Sequence, residues 1–124
     1  MIVGLGLDVV SVPRVAGMIA RRGDGIARRV LTDVELAGMA RGRAAEWLSG
    51  RIAAKEAASK ALGAPEGIHW RCVEVVSARP GPPTLRLYDI ARARADALGV
   101  TRAHLTITHD AGVAAAVVVL EAGP

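Results

Sequence analysis

Aromatic residues are scarce in this chain of 124 residues, which has no phenylalanine, one tyrosine and two tryptophans. Hydrophobic residues still make up 52% of it, so the core must be built from alanine, valine, leucine and isoleucine. The shortage of rings disfavours recognition of RNA by base stacking, because that mode needs several exposed aromatic side chains.

Cysteine is just as scarce, since Cys72 is the only one. An internal disulfide and a metal site built from a cysteine cluster are therefore both excluded. No apolar run is long enough to cross a bilayer, and Met1 leads into a strand-like segment without the basic region of a signal peptide. These absences predict a soluble cytoplasmic protein without membrane attachment.

Lysine is the third rarity, because Lys55 and Lys60 are the only lysines among sixteen basic residues and all the others are arginine. The chain uses arginine for nearly all of its positive charge. Its two lysines therefore indicate positions that need a compact ammonium group, which meets a phosphate as a point charge. A plain i,i+4 ion pair between Glu56 and Lys60 on a solvated helix face fits the same spacing.

The net charge of +4 predicts an acidic partner, which leaves nucleic acid, a phosphorylated ligand and an acidic protein as candidates. Arg14 and Arg21 lie seven positions apart on one face of a predicted helix, with Arg22, Arg28 and Arg29 close by. Together they form a candidate docking patch for an acidic surface, although each arginine alone also fits simple solubility.

Hydrophobic periodicity predicts one α+β domain, residues 1–124. The predicted strands are 2–10, 69–77, 84–88, 102–108 and 113–120, and the predicted helices are 12–22, 32–41, 44–62 and 89–98. Residues 79–83 and 109–112 are predicted turns. The last strand has no polar face, which predicts burial on both sides and a subunit interface.

Two local signals add detail to these elements. Gly4 and Gly6 lie within the first strand, which predicts that another backbone approaches it closely. Thr32 and Glu35 have the spacing of a capping box at the start of the second predicted helix.

Three carboxylates have a claim to chemistry: Asp8 near the end of an apolar strand, Glu56 in the long helix and Asp110 in the last turn. Two carboxylates, with oxygens from a polyphosphate and water, form a typical magnesium site. Lys60, one turn from Glu56, would then reach a phosphate oxygen, which predicts phosphoryl chemistry. His109, beside Asp110, is a candidate phosphate contact or acid–base group.

Several motifs occur in a characteristic order: Gly6-Leu7-Asp8, Thr32-Asp-Val-Glu35, Leu48-Ser-Gly50-Arg51, Ile52-Ala-Ala-Lys55-Glu56-Ala57-Ala-Ser-Lys60-Ala61, and Leu105-Thr-Ile-Thr-His109-Asp110. In order, spacing and total length the chain resembles, nearly end to end, the bacterial holo-acyl-carrier-protein synthases, the small AcpS-type phosphopantetheinyl transferases. The resemblance implies an α+β 4′-phosphopantetheinyl transferase-like fold, with a mainly antiparallel sheet packed against a long helix. It also implies Mg²⁺-dependent transfer of 4′-phosphopantetheine from coenzyme A to a serine of an apo acyl carrier protein, with release of adenosine 3′,5′-bisphosphate, in fatty-acid biosynthesis.

The resemblance also implies roles for single residues. Asp8, Glu56 and Lys60 become the catalytic set: the two carboxylates hold magnesium, the lysine contacts the pyrophosphate, and Glu56, directly or through water, takes the serine proton. The implied coenzyme A contacts are Arg51, Lys60, Gly63 and His109, and the implied docking residues for the acidic carrier protein are Arg14 and Arg21. Members of the family are homotrimers with active sites shared between subunits.

The chain departs from the family pattern at two motifs. Ile52 replaces an aromatic residue, and Gly81-Pro82-Pro83 replaces a Gly-Lys-Pro turn, which removes a lysine near the expected adenine pocket. The resemblance leaves open which carrier proteins are modified, so an AcpS-like enzyme that serves polyketide or peptide-synthetase carriers is one alternative. A non-catalytic basic module that binds RNA or an acidic protein is another, although the arginines form no single run.

Overall fold

The structure is a computed structural model that describes residues 1–77 and 80–124. The strands are β1 Ile2–Ser11, β2 Val73–Val76, β3 Thr84–Leu87, β4 Val100–Asp110 and β5 Val113–Ala122. The helices are α1 Val12–Arg22, α2 Gly25–Val30, α3 Asp33–Ala37, α4 Ala44–Ala61 and α5 Asp89–Ala97, with 3₁₀ turns at Arg41–Arg43 and Trp70–Cys72. No helix within the described ranges is both long enough and apolar enough to span a bilayer.

A three-stranded antiparallel sheet, in the order β1-β5-β4, packs against α4, and β2 and β3 form a separate antiparallel pair. The side of α4 that faces the sheet consists largely of alanine, with Ala53, Ala57 and Ala61 buried against Val118 and Leu120 of β5. Small side chains let the helix lie close to the sheet, so a core without phenylalanine still packs densely. The predicted α+β architecture is confirmed.

The backbones of β1 and α4 approach each other closely. A Cβ atom added at Gly6 would lie 1.8 Å from the carbonyl oxygen of Ala57, and one added at Gly4 would lie 2.2 Å from that of Ala61. Both distances are far below any contact that a real Cβ atom makes, so only glycine fits there. The predicted role of the two glycines is confirmed, and the contact brings Asp8, two residues after Gly6, beside α4.

Some predicted boundaries are wrong. The helix predicted over 32–41 ends at Ala37, because Gly38 is a poor helix former and its amide closes a tighter turn on the carbonyl of Glu35. The strand predicted from residue 69 begins only at Val73, after the 3₁₀ turn at Trp70–Cys72. Helix α2 was not predicted at all.

The last hairpin is tighter than the predicted turn over 109–112. Only Ala111 and Gly112 leave the strands, and both have positive φ, 51° and 77°, as a two-residue hairpin turn of the mirror-image class requires. His109 and Asp110 are instead the last residues of β4. In the predicted turn over 79–83, Arg79 lies outside the described residues.

The prediction that β5 is buried on both sides is wrong for the single chain. Its inner residues, including Ala116 and Val118, are buried against α4, but the opposite side of the sheet is open. We call this side the outer apolar face; it consists of Leu5, Leu7, Val9, Ala115, Val117 and Val119. The three β1 residues in it are 57–66% exposed, an unusual state for large apolar side chains on one face.

Replacing Gly6 with alanine should destabilise the protein by about 3 kcal/mol, because the methyl group meets a helix carbonyl oxygen that cannot move away cheaply. Urea denaturation followed by circular dichroism measures the loss. Gly42→Ala is the matched control, since a Cβ at Gly42 meets no atom within 4 Å. Equal stability of Gly6→Ala and Gly42→Ala would contradict the close contact.

Candidate active site

Helix α4 carries most of the candidate site and points its functional side chains in different directions. Lys60 reaches β1, where its ammonium lies 3.1 Å from Oδ1 of Asp8 and donates to the carbonyl of Leu7 at 3.0 Å. The side chain of Asp8 is 18% exposed and that of Lys60 is 54% exposed, so the pair lies at the protein surface. Lys60 thus forms its ion pair with Asp8 of β1. The alternative that the i,i+4 spacing allowed, an ion pair with Glu56 on the same helix, is not formed.

Asp8 and Glu56 line the same cavity of about 410 Å³ between β1, α1, α2 and α4, which we call the carboxylate cavity. Arg14 and Trp70 also line it, as does Ile52 at the position where the family has an aromatic residue. The two predicted metal ligands, the predicted pyrophosphate lysine and one predicted docking arginine are therefore neighbours. Arg21, on the last turn of α1, is exposed and is not among the residues that line the cavity.

The carboxylate cavity fits a magnesium ion. Within residues 1–77 and 80–124, no group of three or more histidine, cysteine, aspartate or glutamate side chains is arranged to hold a metal. Asp8 and Glu56, which both line the cavity, would supply two oxygen ligands and leave the other positions to phosphate and water. Mg²⁺ favours this division, since it gives up its water ligands reluctantly.

Arg51 and His109 lie in a different cavity of about 260 Å³, which we call the arginine cavity. Among the residues that the structure describes, it shares no lining residue with the carboxylate cavity. The Arg51 guanidinium carbon lies 3.9 Å from the centre of the Trp47 ring, and Nη2 donates to Oγ of Ser77 at 2.7 Å. Nε of Arg51 is buried and, within the described residues, has no hydrogen-bond partner. Burial lowers the pKa of Arg51, and the charge of Glu35 opposes that shift.

His109 is held in the arginine cavity by α4. Its Nε2 lies 2.9 Å from the carbonyl oxygen of Glu46, and a Cβ added at Gly50 would come within 3.0 Å of the same nitrogen. The glycine of the Leu48–Arg51 motif therefore leaves room for the histidine of the last motif. Two sequence motifs that are distant along the chain thus meet in one contact, between Gly50 and His109.

The other two candidates, Gly63 and Asp110, line neither the carboxylate cavity nor the arginine cavity. Gly63 follows α4 with a φ of 81°, and its amide donates to the carbonyl of Lys60 at 3.0 Å. It is the glycine that ends the helix, one turn beyond Lys60, and its contact with coenzyme A stays a prediction. Asp110 is exposed at the end of β4.

Lys55 is not a phosphate contact, contrary to what its rarity suggested. It is 3% exposed, and its ammonium donates to Oε1 of Glu35 at 2.7 Å, to the carbonyl of Trp70 at 3.0 Å and to the carbonyl of Val73. All three N–H groups of the ammonium are therefore used within the protein. Burial lowers the pKa of Lys55, and the ion pair with Glu35 acts in the opposite direction.

Glu35 and its neighbours are the polar residues that sequence reasoning missed. Beyond Lys55, the Glu35 carboxylate accepts from the amides of Thr32 at 2.9 Å and Val75 at 3.0 Å. Glu74 extends this buried network, accepting from the hydroxyls of Thr32 at 2.7 Å and Tyr88 at 2.9 Å. The capping box predicted only a local role for Glu35. The available signal was Lys55 itself, a lysine among alanines that face the core.

Comparison with known proteins identifies the family. Residues 4–118 match the family described as the 4′-phosphopantetheinyl transferase superfamily. The chain is 48% identical over 120 residues to a holo-[acyl-carrier-protein] synthase of Frankia casuarinae, which covers 97% of this chain and 98% of that protein. A second synthase, from an Anaeromyxobacter species, is 49% identical over 125 residues, 98% of this chain and 97% of that one.

Solved structures agree with these relatives. The holo-[acyl-carrier-protein] synthase of Neisseria meningitidis superposes with a TM-score of 0.85 at 31% identity, over 98% of this chain and 99% of that one. The synthase of Bacillus anthracis, in complex with CoA (3′,5′-ADP), superposes with a TM-score of 0.80 at 32% identity, over 99% of both chains. Fold and motifs thus define a phosphopantetheinyl transferase, and the chain belongs to the 4′-phosphopantetheinyl transferase superfamily.

Within that superfamily the protein is an enzyme of the holo-[acyl-carrier-protein] synthase type, the AcpS group that its motifs resemble. The alternative interpretation as a non-catalytic basic module is wrong, since full-length relatives at this identity are synthases.

Replacing Lys55 with methionine should cost about 3–5 kcal/mol, because it leaves the Glu35 carboxylate buried without its cation. Chemical denaturation of Lys55→Met, of Glu35→Gln and of the double variant measures this. The double variant should be more stable than Lys55→Met alone, since it removes both charges and keeps a carbonyl acceptor for the backbone amides. Simple addition of the two single losses would contradict the assignment of a coupled buried pair.

Proposed function

We propose that the protein transfers the 4′-phosphopantetheine group from coenzyme A to a serine of an apo acyl carrier protein, with Mg²⁺, and releases adenosine 3′,5′-bisphosphate. The observation that carries this proposal is that Asp8 and Glu56 line one cavity, the carboxylate cavity, and that Lys60 is bonded to Asp8. The relatives' designation as holo-[acyl-carrier-protein] synthases and the coenzyme A complex of the Helicobacter pylori enzyme support this choice of substrates.

The chain's own residues account for the transfer. Asp8 and Glu56 would hold Mg²⁺, which when bound neutralises charge on the pyrophosphate and lowers its repulsion toward the serine hydroxyl. Glu56, directly or through a water, takes the proton as the serine oxygen forms its bond to the phosphorus that carries pantetheine. The bond from that phosphorus to the oxygen of adenosine 3′,5′-bisphosphate breaks, and Lys60 donates a hydrogen bond to the departing phosphate.

The carrier protein would dock on α1. Arg14 is exposed and also lines the carboxylate cavity, so an acidic helix held there would present its serine to Glu56. Arg21, seven residues further along the same helix, is exposed as well and would contact the same acidic partner. The net charge of +4 would favour encounter with such a partner, and added salt should weaken that effect.

A homotrimer would complete the site. Arg51 and His109 line the arginine cavity, so one chain alone does not bring these two proposed coenzyme A contacts together with the metal ligands. Burial of the outer apolar face between copies would let the arginine cavity of one copy serve the carboxylate cavity of its neighbour. The exposure of three large apolar side chains on β1 supports such an interface.

The direct test is the mass of an apo acyl carrier protein after incubation with the protein, coenzyme A and Mg²⁺. A gain of about 340 Da, one phosphopantetheine, is expected, and it should disappear when the metal is chelated. Fatty-acid, polyketide and peptide-synthetase carriers, tested side by side, identify the preferred acceptor. Glu56→Gln should lower the rate at least about a hundredfold without loss of fold, because the metal ligand and proton acceptor is gone.

Asp96→Asn, which changes an exposed carboxylate paired with Arg92 on α5, is the control for Glu56→Gln and should react normally. Absence of a mass gain on every carrier with folded protein would reject the proposed function. Normal turnover by Glu56→Gln would reject the role of that residue.

Reversing the charge at Arg14 tests the docking helix. Arg14→Glu should raise the KM for the carrier protein at least about tenfold and leave the KM for coenzyme A nearly unchanged, because the lost contact is with the acidic carrier. Steady-state kinetics with each substrate varied in turn measures this. Arg92→Glu on α5 makes the same change in net charge at a distant helix. An equal effect of the two reversals would show that overall charge, and not docking on α1, is responsible.

A further inference from the structure

The Thr32–Glu35 motif has no part in the proposed chemistry, yet its glutamate contacts the middle of α4. Glu35 is 3% exposed, and its carboxylate accepts from the ammonium of Lys55 at 2.7 Å and from the amides of Thr32 and Val75. A capping box needs only the bonds between Thr32 and Glu35. The bonds to Lys55 and Val75 therefore serve something beyond the start of α3.

The ion pair of Glu35 and Lys55 fixes the helix that carries the candidate site. The Lys55 ammonium donates to Glu35, to the carbonyl of Trp70 and to the carbonyl of Val73. These three acceptors belong to α3, to the 3₁₀ turn at Trp70–Cys72 and to β2, so one ammonium ties α4 to three other elements. Any rotation of α4 that moved the ammonium would leave a buried carboxylate without its cation, which is costly.

The direction of Glu56 depends on this restriction. Glu56 follows Lys55 directly, and consecutive helix residues project about 100° apart, so a fixed Lys55 sets the side of α4 on which Glu56 lies. In the part of the chain that the structure describes, no ion pair holds the carboxylate of Glu56. Trp70, whose carbonyl accepts from Lys55, lines the carboxylate cavity together with Glu56. The same ammonium thus fixes the helix that carries Glu56 and a segment of the cavity wall.

Arg51 is affected by the same carboxylate. It lies four residues before Lys55, so the two cationic side chains are neighbours on the surface of α4. Burial lowers the pKa of Arg51, and the charge of Glu35 raises it. The electrostatic influence of Glu35 therefore extends from Lys55 to a residue of the arginine cavity.

We propose that Glu35 is a positioning residue for the transfer: through Lys55 it fixes the rotation of α4 so that Glu56 points into the carboxylate cavity. The inference rests on the proposed function, in which Glu56 is a metal ligand. Glu35 is not among the residues that line the carboxylate cavity, so it acts through Lys55 and not by touching the reacting groups. A small rotation of α4 is enough to matter, because a displacement of about 1 Å can cost about a hundredfold in rate.

The double variant Glu35→Gln/Lys55→Met separates positioning from stability. It leaves no unpaired charge at this place, so it should fold, as circular dichroism would verify. Its α4 is no longer fixed by an ion pair. We therefore expect kcat to fall at least about tenfold and the KM for Mg²⁺ to rise at least about tenfold. The KM for the carrier protein should change less than about twofold, because the docking residues on α1 are untouched.

Metal binding gives a second readout that needs no turnover. Mn²⁺ favours the same oxygen ligands as Mg²⁺, and its binding in the presence of coenzyme A can be followed by electron paramagnetic resonance. The double variant should bind Mn²⁺ at least about tenfold more weakly than the wild type, as should Glu56→Gln. Leu105→Ala removes a buried apolar side chain from the core on β4 and is the control for lost stability. Folded Leu105→Ala should keep its Mn²⁺ affinity and its KM for Mg²⁺.

The outcomes are distinct. Wild-type Mn²⁺ affinity and a wild-type KM for Mg²⁺ in the folded double variant would overturn the inference, as would an equal loss in Leu105→Ala. If the double variant does not fold, Glu35→Gln alone replaces it and is judged by the same two readouts, since its amide keeps an acceptor for Lys55. A wild-type protein that binds Mn²⁺ through Glu56 but transfers no phosphopantetheine would reject the proposed function, and the Mn²⁺ affinities would still decide the role of Glu35.

Discussion

The close contact between the backbones of β1 and α4 is the constraint on which the site depends. Gly4 and Gly6 let the carbonyls of α4 come within a distance that no other residue tolerates. As a result Asp8, two positions further along the strand, lies beside the last turns of the helix, where Lys60 meets it. Packing and chemistry thus share one short segment of strand, which explains why the glycines and the aspartate form a single motif.

The rotation of α4 about its own axis is the second constraint. Lys55 binds Glu35 and two carbonyl groups inside the protein, so the helix cannot turn without breaking a buried ion pair. Because Lys55 is fixed inward, Glu56 faces the carboxylate cavity and Arg51 faces β4 and the arginine cavity. Lys55, which has a structural role, therefore fixes the directions in which Glu56 and Arg51 point. This explains why an alanine-rich helix with little chemistry of its own can organise the whole site.

Much of the fold and part of the site follow from the sequence alone, and the exceptions have physical causes. Asp8, Glu56 and Lys60 were each singled out by a local pattern, a carboxylate in an apolar strand and an i,i+4 spacing, but only the family resemblance grouped the three into one site. The burial of Lys55 was missed because spacing along a helix does not tell which face meets Glu35, twenty residues earlier. The division between the carboxylate and arginine cavities was missed for the same reason, since it depends on how strands β1 and β4 flank α4. The short α2 was missed because six residues give too little periodicity to detect.

The saturation of Lys55 also determines how the protein would respond to chemistry from outside. A buried ammonium that donates three hydrogen bonds is shielded from solvent, so it is a poor nucleophile toward acylating reagents. Since the sequence has only two lysines, Lys60 and the amino group of Met1 are the primary amines that such reagents reach. A single acylation beyond the amino terminus would therefore fall in the candidate active site. Because nearly all of its other basic residues are arginine, Lys60 is a site for selective chemical modification.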